Sequence, residues 1–96
     1  MKTLASLALT ALLLPTIVHA GNANVAVAAN FAAPMKEIAH AFEQASGHQL
    51  TVSIGSTGKL FSQIQNGAPF DVFLAADTKT TKEAEDAGLS VPDSRF

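Results

Sequence analysis

The sequence predicts an α/β fold in which a parallel sheet is built as β-α-β-α-β-α. Three observations carry this. Residues 24–29 and 70–76 are largely apolar runs of strand length, residues 49–54 alternate polar with apolar, and stretches with helical spacing of apolar residues separate them. The joining loops are a few residues long, which suits right-handed crossovers between parallel strands. The first and third runs lack polar alternation, as expected of strands covered on both faces.

Taken in order, the chain opens with a segment that is not read as part of this fold. Met1-Lys2 is a short basic start, residues 4–14 are apolar, and Val18-His19-Ala20 ends in a small residue. This is the pattern of a secretory signal peptide cleaved after Ala20. Its apolar core is too short to cross a bilayer. Residues 21–96 are then the folded part, a single domain at most. Without Lys2 that part carries five basic against eight acidic side chains, a net charge of −3. Such a balance gives no electrostatic footprint for nucleic acid or for an anionic membrane. The absence of cysteine excludes disulfides, thiolate catalysis, Cys-based metal sites and a lipidated Cys anchor. The expected location is the periplasm, in soluble form. A domain near this size buries only about 60% of its unfolded surface, yet 48% of the residues are hydrophobic. That predicts packing against further protein.

Val25-Ala26-Val27-Ala28-Ala29 reads as the first strand, followed by Asn30-Phe31-Ala32-Ala33-Pro34. A helix is expected over residues 34–46. Met35, Ile38, Phe42 and Ala45 form its inward stripe, while Lys36, Glu37, His40, Glu43 and Gln44 face outward. Pro34 suits a first turn and Gly47 a stop. The second strand covers residues 49–54, and Leu60, Phe61 and Ile64 mark a short helix ending near Asn66-Gly67. Phe70-Asp71-Val72-Phe73-Leu74-Ala75-Ala76 reads as a third, buried strand. Thr80 and Glu83 have capping-box spacing for a last helix that Gly88 stops. Residues 89–96 are a polar connection.

The chemistry concentrates at two strand-to-helix junctions. Gly55-Ser56-Thr57-Gly58 follows the second strand and Asn30-Phe31 follows the first. In a parallel sheet both junctions lie on the same edge, and they flank one crevice if the strand order switches beside the first strand. Asn30, Ser56 and Thr57 supply side-chain donors there. The backbone N–H groups of Phe31, Thr57 and Gly58 are free candidates, and a helix N-terminus adds partial positive charge. The alternative is an ordinary turn with Ser or Thr as N-cap. Neither loop contains Asp, Glu, Arg or His, and Lys59 is adjacent. Neutral donors suit a fully deprotonated oxyanion, because a protonated one also asks for an acceptor.

Other chemistries find little support. Gly55-Ser56-Thr57-Gly58-Lys59-Leu60 is not a phosphate-binding Walker loop, since the glycines are too close and Leu60 stands where Ser or Thr binds magnesium. His40 and His48 have no metal-ligand spacing, so no direct cation ligand is expected. Ser62 has no evident His partner. Glu83, Glu85 and Asp86 read as a solvated helix face. The chain is not expected to be an enzyme or to need a cofactor.

Three linked motifs carry a resemblance: Val25 through Met35, then Gly55-Ser56-Thr57-Gly58-Lys59-Leu60, then Asn66-Gly67-Ala68-Pro69 through Asp77. Together they resemble the periplasmic molybdate-binding proteins of molybdate ABC transporters, which are type II periplasmic binding proteins. By that resemblance Asn30 falls where the family places a Ser or Asn contacting the oxyanion, and Thr57 where it commonly has a Ser. Asp77 ends the third motif and reads as a cap or rim residue, since a carboxylate repels a dianion. The resemblance implies molybdate or tungstate as ligand and an inner-membrane ABC permease as partner, with a monomeric receptor when full length. It also implies two lobes, the second completing the site through backbone amides and usually a Tyr. This chain has no Tyr, so it is expected to be the N-terminal part of the first lobe, holding about half a site. A receptor for another oxyanion such as sulfate, or a truncated remnant without function, are the alternatives. An amino-acid receptor would need an Arg for the α-carboxylate, and Arg95 is far from both loops. The signal peptide opposes an intracellular regulator of the same half-fold.

Overall fold

The computed structural model describes residues 20–96; the signal segment expected over residues 1–20 lies, apart from Ala20, outside the described residues. Strand β1 (Asn22–Ala28) leads through a 3-10 turn (Ala29–Phe31) into helix α1 (Ala32–Ser46). Strand β2 (Gln49–Gly55), helix α2 (Thr57–Gln65), strand β3 (Val72–Leu74) and helix α3 (Thr78–Asp86) follow. The sheet is wholly parallel in the order β2-β1-β3. The chain therefore steps one way from β1 to β2 and then back past β1 to β3. That reversal beside β1 is the arrangement that opens a crevice at the carboxyl ends of the strands.

The central strand explains its own composition. Val25, Ala26, Val27 and Ala28 are all buried. Val25 and Val27 form the core with Met35 and Ala39 of α1, and Leu50, Val52 and Leu74 pack at its margin. Alternate residues face opposite sides of a strand, so Ala26 and Ala28 look the other way, where α2 lies against β1. Their small side chains let that helix come close. Asp71 then anchors β3: its carboxylate accepts from Asn24 N–H at 2.7 Å, and its own N–H donates to Asn24 C=O at 2.8 Å.

Four expectations are corrected. The inward stripe of α1 is Met35 and Ala39, while Ile38 is 50% and Phe42 42% exposed and Ala45 is exposed. Two apolar rows run along this helix, and the narrow sheet covers only one. Glu43 does not simply face solvent, because its Oε1 accepts from Leu50 N–H at 3.2 Å. The third strand spans only Val72–Leu74, and Val72 is 41% exposed. Among the described residues it has a hydrogen-bonded neighbour on one side alone. Finally, α3 is capped by Asp77 rather than by Thr80 and Glu83: Asp77 Oδ1 accepts from Thr80 N–H at 2.8 Å. A carboxylate one residue before the first turn satisfies an orphan donor and also opposes the positive end of the helix dipole.

These hydrogen bonds with Thr80, chiefly the backbone one, hold the Asp77 carboxyl below its ordinary pKa. A lowered folded-state pKa means stability that is present above the unfolded value and is lost as pH falls through the folded value. The expected result is an acid limb in the urea midpoint that begins near the ordinary value of 3.8 and runs lower. Asp77→Asn, which still caps, flattens this contribution; an unchanged acid limb would contradict the assignment.

Candidate functional site

The strand register brings the two junctions together. Ala28 at the end of β1 pairs with Gly55 at the end of β2. Asn30 and Thr57 each stand two residues beyond that last pair, in the junctions that leave the carboxyl edge of adjacent strands. The sheet thus sets both junctions singled out from the sequence on one edge.

The start of α2 supplies the backbone donors. Ser56 is its N-cap, with extended backbone and a side chain that accepts from Lys59 N–H at 3.2 Å. Leu60 N–H is taken by Ser56 C=O at 3.0 Å. The N–H groups of Thr57 and Gly58, the first two of the helix, donate to no acceptor among the described residues. They are the orphan donors that any helix leaves at this end, here at the positive end of the dipole. Gly58 is exposed and has open space where a Cβ would stand. The Ser56 hydroxyl oxygen is engaged as a cap, the ordinary-turn role that its residue type allowed, while its hydrogen is left to donate.

Thr57 is half-buried, and its hydroxyl oxygen accepts from Ala76 N–H at 3.0 Å. Its hydrogen is left to donate. Asn30 is exposed, in the middle of the 3-10 turn. A turn of this type closes with i→i+3 bonds, so Phe31, its last residue, is a weaker backbone donor than Asn30. The Phe31 ring is 39% exposed beside them. Lys59 is exposed and belongs to neither of the ion pairs found among the described residues. The one carboxylate close by, Asp77, is turned into the start of its own helix, in keeping with its reading as a cap.

A groove of about 830 Å³ is lined by Asn30, Phe31, Ala76 and Asp77, by β3 and by residues as far as Val91. It is far too large and too apolar for a small anion. Thr57 and Gly58 do not line it; Thr57 reaches it only through its bond to Ala76 N–H. Among the described residues no three His, Cys, Asp or Glu side chains gather as a cation site.

Sequence reasoning missed the part played by the loop after β3. Ala76 has no side-chain chemistry to advertise it; the available signal was the parallel-sheet rule, which sets all three junctions on one edge.

The parallel α/β half-sheet with neutral donors at the edge beside its reversal point can be set against known proteins. Residues 23–96 match the bacterial extracellular solute-binding protein family, and the chain belongs to it. Over 89 residues it is 55% identical to the molybdate-binding protein ModA of Azotobacter vinelandii, covering 93% of this chain and 35% of that protein. It is 47% identical over 77 residues to ModA of Rhodobacter capsulatus, covering 80% and 31%. The structure is similar to the Azotobacter vinelandii periplasmic molybdate-binding protein, with a TM-score of 0.76, 38% identity, and coverage of 77% of this chain and 32% of that one. The chain spans about a third of the length of the curated relatives it matches.

Proposed function

We propose that residues 21–96 form one wall of an oxyanion site in the receptor of an ABC importer, as part of its first lobe. The ligand is molybdate, with tungstate accepted as its close analogue. The receptor acts in the periplasm after cleavage behind Ala20, as a monomer, and hands the anion to an inner-membrane permease without chemical change. One observation carries this reading. Two unpaired backbone donors, Thr57 and Gly58, and the Thr57 hydroxyl stand at the same sheet edge as the turn that carries Asn30. Every one of these groups can donate to an oxygen of a tetrahedral dianion, and none needs a cation. The similarity to molybdate-binding proteins supports the choice of anion.

Calorimetric titration of the protein made from its whole reading frame tests this. Molybdate and tungstate are expected to saturate one site, with sulfate about tenfold weaker or more, a difference of about 1.4 kcal/mol. Hydrogen phosphate, which brings a proton for which these loops offer no charged acceptor, is expected to bind least. Sulfate binding as tightly as molybdate would replace the ligand assignment by a general oxyanion receptor.

A further inference from the structure

The Thr57–Ala76 hydrogen bond joins the loops after β2 and β3, the two strands that flank β1. It therefore spans the carboxyl end of the central strand, on the side of the sheet where Asn30 also stands. A hydroxyl has one hydrogen and two lone pairs. With Ala76 N–H on one lone pair at 3.0 Å, the rotor is no longer free: the hydrogen is directed away from Ala76. Accepting one hydrogen bond also strengthens the donation of another.

We propose that the Ala76 backbone N–H is a positioning group for the anion site. It holds the Thr57 hydroxyl as a donor toward the ligand and makes the loop after β3 a third arm of the site. This rests on the oxyanion reading above. The competing role is purely structural, a tie between the start of α2 and the end of β3. Both roles run through the Thr57 hydroxyl, so they differ in readout: loss of a structural tie lowers the thermal midpoint of the unliganded protein, whereas loss of a positioning group lowers the affinity for the anion and leaves that midpoint in place.

The test is a double-mutant cycle on the protein from the whole reading frame, with molybdate as the calorimetric probe. Ala76→Pro removes the N–H; Ala76→Gly keeps it and is the control. Ala76→Pro is expected to weaken binding about three- to tenfold, in the range of one hydrogen bond, when Thr57 is present. It is expected to change nothing in the Thr57→Ala background, and Thr57→Ser is expected to retain the sensitivity. If the proline variant does not fold, a backbone ester at position 76 (lactate in place of alanine) removes the same N–H without the ring. Equal penalties in both backgrounds, no penalty in either, or an affinity loss that comes only with a lowered thermal midpoint of the unliganded protein, would overturn the positioning role while molybdate binding by the unsubstituted protein stands. Failure of that protein to bind molybdate would overturn the oxyanion reading and this proposal with it.

Discussion

Thr57→Ala and Asn30→Ala are each expected to weaken molybdate binding by about 1–3 kcal/mol, the cost of leaving part of a buried charged ligand without a partner. Thr57→Ala carries the larger share of consequences. It removes a ligand-facing hydrogen and also strands Ala76 N–H, which donates to the Thr57 hydroxyl at 3.0 Å. It does not touch the backbone donors of Thr57 and Gly58, so binding is weakened rather than abolished. Thr57→Ser keeps hydroxyl and backbone and is expected to bind much as the unsubstituted protein does. Asn30 lies on the exposed rim of its turn, so Asn30→Ala is expected to leave the thermal midpoint of the unliganded protein unchanged. Calorimetry on both variants decides the matter. Unchanged affinity in both would remove these side chains from the site.

The second large effect is on the fold itself. Val27 is fully buried near the carboxyl end of the central strand, with β2 and β3 paired on its two sides at Ile54 and Leu74. Val27→Asp places a carboxylate where no buried polar partner exists among the described residues. Burying such a group unpaired costs several kcal/mol, comparable with the entire stability margin of roughly 5 kcal/mol for a domain of this size. The expected outcome is loss of the cooperative transition in circular dichroism. Val27→Ala, which only removes methyl groups from the same place, is expected to cost about 2–3 kcal/mol and to remain folded. A folded Val27→Asp variant with an ordinary midpoint would mean that β1 is not the centre of the sheet.

What the sequence made legible follows from strong, local signals. The run Val25 to Ala28 announces a strand covered on both faces because it contains no polar residue, and it is buried throughout. The pairing of Ala28 with Gly55 puts both junctions on one edge of the sheet, as expected from parallel strands. Ser56 reads from its type as a ligand donor or a cap; the bond to Lys59 N–H shows the cap, and its hydrogen is still left to donate.

What was not legible depended on what lies next to each element. Met35 with Ala39 and Ile38 with Phe42 are equally good rows by spacing, and only the width of the sheet selects the first. The length of β3 was overestimated because Phe70, Val72 and Leu74 read as core. Among the described residues, its outer edge instead borders the open groove that runs to Val91. For α3, both Asp77 and Thr80 were available caps, and the carboxylate prevails because its charge acts on the helix dipole as well as on one N–H.

The most direct test of the oxyanion site is to follow the backbone amide signals of Thr57 and Gly58, together with the Asn30 side-chain amide, by NMR as molybdate is added. The expected result is a large shift of all three that saturates at one equivalent of anion. Saturating binding that leaves the Thr57 and Gly58 amides unmoved would show that the anion sits elsewhere, and the account of this sheet edge would be wrong.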